Sequence, residues 1–157
     1  MDPQEPIRQQ RRMGLAMQAL AWLVFLALGV AYFSGLLERQ YNPNQSLSTV
    51  ETAPGTREVV LKRNRYGHYV ASGAINGQPV TFMLDTGATG VAVPAPVAER
   101  LGLARGQRYR AQTANGVAVG YATRLDSVSV GEIELRDVQA GITPGLQMDQ
   151  VLLGMSF

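Results

Sequence analysis

The sequence predicts a mostly β domain with one short helix, carried behind a single transmembrane helix. Three observations point there. Residues 13–37 form a run of 25 positions without a charged side chain, bounded by Arg12 and Glu38. The chain beyond residue 57 is cut into short apolar runs separated by Gly, Asn and Pro, the pattern of strands and turns. Asn76-Gly77 and Asn115-Gly116 each lie between such runs, where an Asn-Gly pair signals a tight hairpin.

Taken in order, Met1 to Arg12 is a short polar tail expected in the cytoplasm. Met13 to Leu37 is the anchor. A helix of that length reaches roughly 37 Å at about 1.5 Å per residue, against a hydrocarbon core of about 30 Å. Trp22, Tyr32 and Phe33 add aromatic bulk, the last two near one end where interfacial rings are favoured. A cleaved signal peptide has an apolar region of only about 7–15 residues, so an uncleaved anchor is expected. Arg8, Arg11 and Arg12 hold the N-terminus inside and send the remainder out, to the periplasm in a Gram-negative cell. The protein is therefore expected in the inner membrane as a single-pass chain. Glu38 to Arg57 is rich in Asn, Gln, Ser, Thr and Pro and reads as a linker.

The folded part is expected over residues 58–157. Strands are predicted at Glu58–Leu61, His68–Ile75, Gln78–Leu84, Val91–Val93, Arg108–Thr113, Val117–Tyr121, Leu125–Val130, Ile133–Ala140 and Val151–Leu153. Val80, Phe82 and Leu84 alternate onto one face, as a half-buried strand requires. The single short helix is expected from Pro94 to Leu101, with Gly102 as its stop.

Composition removes several function classes. The net charge is +2, and from Glu38 onward 11 Arg and Lys face 10 Asp and Glu, so the exported part is near neutral and no nucleic-acid partner is expected. There is no cysteine and one histidine, which removes disulfides, thiolate chemistry and a zinc centre. No metal or organic cofactor is expected. Ser156 lacks a nucleophile-elbow setting, and His68 has no evident triad partners.

One segment carries chemistry. In Phe82-Met83-Leu84-Asp85-Thr86-Gly87-Ala88-Thr89 an apolar strand delivers a carboxylate into a glycine-containing loop. Asp-Thr-Gly by itself is more often an ordinary turn. Its surroundings change that reading: a second apolar strand follows, a glycine-tipped hairpin lies about 30 residues on, and an apolar-apolar-Gly triplet ends the domain.

That ordering resembles the retropepsin-like (retroviral-type) aspartic proteases, and most closely their bacterial single-span members. The likeness rests on Asn76-Gly77-Gln78-Pro79-Val80 leading into Leu84-Asp85-Thr86-Gly87-Ala88-Thr89, and on Leu152-Leu153-Gly154-Met155-Ser156-Phe157. It implies an acid-protease half-barrel whose catalytic residue is Asp85. Two carboxylates about 3 Å apart share one proton; one acts as base toward a water and the other polarises the scissile carbonyl. The chain has one such motif, so the second Asp85 is expected from a second copy across a two-fold axis. The resemblance further implies that Thr86 bonds across the dimer and that Gly87 lets backbone approach the carboxylate. Ala114, Asn115 and Gly116 would form a flap over the peptide, and Leu152, Leu153 and Gly154 would pass beneath the active loop. Ala88 occupies a position where pepsin-like relatives often carry a hydroxyl donor. Its absence implies a less acidic activity optimum than an Ala88→Ser variant would show.

The family continues beyond the position of Phe157 with a helix and a last strand, and a weaker dimer is the expectation for this chain. The competing reading is a non-catalytic, membrane-tethered β domain that binds peptides or proteins in the same groove.

Overall fold

The computed structural model describes residues 5–113 and 116–157. The chain divides into two compact units, one up to Glu38 and one from Arg39 onward. The first is helical. Helix α1 runs from Glu5 to Tyr41, so most of the expected polar tail is already helix, and its last turn belongs to the second unit. Large apolar side chains from Met13 to Leu37 are exposed around it. A helix apolar on every side has no single stripe to turn toward a soluble core, which is the pattern of a membrane span. Its Arg11–Tyr41 portion is long and apolar enough to cross a membrane, its apolar 18-residue stretch having a mean hydropathy of 2.1.

Residues 38–57, expected as a linker, are structured. Asn42 and Asn44 are buried. Asn44 makes an isolated parallel bridge with Ala71, and its amide donates to the carbonyls of Lys62 (2.8 Å) and Val70 (2.6 Å). Strands β1 (Thr49–Ala53) and β2 (Thr56–Val59) then form an antiparallel hairpin. The strand expected at Glu58–Leu61 therefore lies earlier and has a partner the sequence did not announce. The polar composition that suggested solvation instead satisfies backbone groups within the domain.

The remaining strands are β3 (Tyr69–Ile75), β4 (Gln78–Leu84), β5 (Val91–Pro94), β6 (Arg108–Thr113), β7 (Gly116–Val130), β8 (Ile133–Thr143) and β9 (Val151–Leu153). They form a sheet of order β3-β4-β9-β5-β8-β7-β6, and β3 also pairs with β7, which folds the sheet back on itself. Asn76 (φ 50°) and Gly77 (φ 75°) make the β3–β4 turn with both central residues left-handed, as a type I′ hairpin needs. Strand β7 is continuous, where two strands were expected. Its first part pairs with β6 and most of its length with β8, so Ala122–Arg124 bridge two pairings rather than break a strand.

The core collects the inward residues of these strands. Ile75, Phe82, Val93, Leu125, Val128, Ile142 and Val151 are fully buried. Helix α2 (Ala95–Arg100) covers one side with Val97 and Ala98, starts directly after Pro94, and ends at Gly102 with φ 68°. The mostly β architecture with one short helix in the folded unit is the one the sequence predicts.

Candidate active site

Asp85 follows β4 directly, and the short strand β9 fixes its place. Strand β9 lies between β4 and β5, parallel to the first and antiparallel to the second, with Leu84 opposite Leu153. The Asp85 amide donates to the Leu153 carbonyl at 3.0 Å. Beyond β9 the chain continues along the same loop. The Met155 amide donates to the Ala88 carbonyl and the Ser156 amide to the Thr89 carbonyl, both at 3.0 Å. Three hydrogen bonds thus fasten the loop from Asp85 to Thr89 onto the segment from Leu153 to Ser156.

Glycine makes this approach possible. A Cβ on Gly154 would stand 2.4 Å from the Ala88 oxygen and 2.6 Å from the Gly90 oxygen, closer than any side chain tolerates. Within the loop, the Gly87 amide donates to Asp85 Oδ1 at 2.9 Å, and the Ala88 amide donates to the Asp85 carbonyl at 3.0 Å. The first orients the carboxylate, and the second closes the backbone turn that carries it. An N–H aimed at an ionised oxygen is stronger than a neutral hydrogen bond.

Asp85 is half-buried, while Thr86 and Gly87 are exposed. The Thr86 hydroxyl makes no hydrogen bond among the described residues. Leu84 and Met155, flanking the loop, expose 37% and 70% of their surface, so the carboxylate lies beside an uncovered apolar rim. The alternation that sends Phe82 inward gives Leu84 the same facing. Its exposure comes from its place at the end of the strand, beyond the core, and sequence period cannot report that.

The sequence-derived set is therefore partly assembled. Asp85, Thr86, Gly87 and Ala88 form one loop, and Leu153 and Gly154 pack against it. Leu152 lies one position back, in register with Met83 and Ala92. Gly116 opens β7 opposite Thr113 with φ 102°. Ala114 and Asn115, at the expected flap tip, lie outside the described residues. The arms below that tip are tied to the sheet by a residue not singled out in the sequence. The Tyr109 ring lies over Gly120 and Gly141, where a Cβ would meet its atoms at 2.6 and 1.9 Å. Two glycines on neighbouring strands thus open a slot for one aromatic ring, a pairing between sequence-distant positions that no local motif marks.

An Asp-Thr-Gly loop resting on an inserted strand, under a half-barrel with a hairpin at its edge, defines the retropepsin-like class of aspartic protease folds. Comparison with known proteins agrees. Residues 71–157 match the family model described as gag-polyprotein putative aspartyl protease. The fold is similar to that of a retropepsin-like aspartic protease from Rickettsia conorii, with 32% identity and a TM-score of 0.51, over 62% of this chain and 82% of that one. An uncharacterized Sinorhizobium protein is 30% identical across 96% of this chain and 70% of its own length. An uncharacterized protein of Rickettsia prowazekii is 25% identical across 88% of this chain and 62% of its own. The chain belongs to the retropepsin-like aspartic protease family.

Proposed function

We propose that this protein is an aspartic endopeptidase that works as a homodimer, with Asp85 from each copy forming the catalytic dyad. The carrying observation is the Asp85 carboxylate itself: half-exposed, oriented by the Gly87 amide, and set in a loop fastened to the strand behind it. One chain carries one Asp-Thr-Gly, so a two-carboxylate mechanism needs two chains.

In that dimer the ionised Asp85 takes a proton from a bound water as the water attacks the scissile carbonyl. The protonated Asp85 donates to the carbonyl oxygen, and a proton then passes to the leaving amine. Thr86, exposed and unpaired within the described part of one copy, has its hydroxyl free to bond to the partner loop. The Leu84 and Met155 rim would be covered by the partner or by substrate. The hairpin ending at Ala114, Asn115 and Gly116 would close over an extended peptide and exclude water. Leu152, Leu153 and Gly154 support the loop from behind.

The same reading makes residues 13–37 a membrane anchor, with the N-terminus cytoplasmic and the protease unit on the outer side of the inner membrane. Its support is the uncharged helix and the preceding arginines.

The test is subunit mixing. Detergent-solubilised full-length protein is mixed with rising proportions of an Asp85→Asn copy, unfolded and refolded together, and peptide cleavage is followed. A shared dyad makes activity fall as the square of the active fraction. A linear fall would refute the shared dyad, and cleavage by the Asp85→Asn protein alone would refute the assignment of Asp85.

A further inference from the structure

The segment from Val60 to Tyr69 carries three cations, Lys62, Arg63 and Arg65, and no carboxylate. All three are exposed, as are Val60 (70%) and Tyr66 (60%). Yet the backbone of this loop is rigidly held. Asn44 both donates to the Lys62 carbonyl and accepts from the Lys62 amide (2.7 Å). The buried Asn64 accepts from the amides of Tyr66 (3.0 Å) and His68 (2.9 Å). The inner polar contacts are complete. Outside, Arg63 donates to the Gly67 carbonyl (2.8 Å), and none of the three cations is paired with a carboxylate among the described residues, so their charge is left for something else to meet.

The position of the loop says what. The Asn64 amide donates to the Tyr41 carbonyl (2.9 Å), Arg65 donates to Gln40 (2.8 Å), and the Tyr41 and Tyr66 rings lie 6.3 Å apart. Tyr41 ends α1, four residues after the uncharged run closes at Leu37. Four helical residues advance about 6 Å, which is the depth of one headgroup layer. Glu38 precedes that helix end by three residues, and Asp149 acts on Tyr41 electrostatically.

We propose that the Lys62–Tyr66 loop is a lipid-headgroup contact surface that docks the protease unit onto an anionic bilayer, with the three cations on phosphates and Tyr66 in the interface. The inference rests on the anchor part of the reading above and is independent of catalysis. Charge complementarity and continuity with the helix end favour this occupant. Interfacial Tyr beside Lys and Arg is the chemistry that binds acidic headgroups, and its attraction fades within a Debye length.

The experiment uses the full-length chain carrying Trp22→Phe and Tyr66→Trp, reconstituted in phosphatidylcholine vesicles with or without phosphatidylglycerol. Fluorescence quenching is measured with lipids brominated near the headgroup. Quenching should rise severalfold with phosphatidylglycerol and return to the phosphatidylcholine level in the Lys62→Gln, Arg63→Gln, Arg65→Gln triple variant. The triple variant leaves the Asn44 and Asn64 contacts in place. Quenching indifferent to lipid charge, or unchanged in the triple variant, would overturn the proposal. So would its displacement by an oligonucleotide at equal phosphate concentration, which would make the loop a nucleic-acid surface. Alkaline carbonate extraction is run in parallel. Release of the protein would overturn the anchor and this inference together, whereas retention without headgroup quenching would overturn the loop assignment alone.

Discussion

Gly154 lies so close to Ala88 that a single added carbon would fall 2.4 Å from the Ala88 carbonyl oxygen. The contact is backbone against backbone, so no rotamer change can relieve it. Gly154→Ala must therefore push the Asp85 loop forward or pull β9 out of the sheet. Overpacking of this kind costs about 1–3 kcal/mol. Thermal unfolding should show that loss, and peptide cleavage should fall more steeply than stability because the loop carries the carboxylate.

Asp85→Asn separates chemistry from structure. The amide oxygen can still accept from Gly87, so the loop keeps its internal hydrogen bond. The unfolding midpoint is expected within a few degrees of the parent, while peptide cleavage drops below detection. A variant that cleaves at the parental rate would remove Asp85 from the mechanism.

Ala88→Ser tests the pH dependence. A hydroxyl donating to the ionised carboxylate favours the charged form, which then persists to lower pH. The acid limb of the cleavage profile should move to more acidic pH, and the optimum with it. An optimum that stays in place or moves toward neutrality would show that position 88 does not act on the dyad.

Phe82→Ala addresses the fold. Phe82 is fully buried and contacts the same core as Val151 and Leu153. Removing a buried aromatic ring costs about 3–5 kcal/mol. That is a large share of the about 5–15 kcal/mol that holds a domain folded, so the midpoint of denaturant unfolding should fall steeply.

Asn44→Ala reaches the segment expected to be a linker. Its side chain serves the Lys62 amide and the Lys62 and Val70 carbonyls. Leaving those groups unpaired in a buried place costs about 1–3 kcal/mol. Hydrogen exchange should become faster at Lys62 and along β3, and a true linker residue would change neither.

Much of this was legible in the chain before folding. The uncharged run, the Asn76-Gly77 turn, the alternation through Val80 and Phe82, and the Asp-Thr-Gly loop are local, because side-chain period and turn chemistry are local. Residues 42–59 were not legible, since Asn and Ser look alike whether water or a buried carbonyl satisfies them. Nor was the continuity of β7, which depends on a change of partner strand along its length.

The sequence by itself determined the helix long and apolar enough to enter a membrane, the β character of the folded unit, and the Asp-Thr-Gly loop that ends β4. Only the tertiary structure decided that β9 inserts between β4 and β5, that Gly154 brings backbone under Ala88, and that Tyr109 occupies the slot over Gly120 and Gly141. Local pattern fixes which residues are apolar, polar or able to turn. Which distant segments meet depends on how strands pair, and pairing is settled by the joint burial of side chains that lie far apart in the chain.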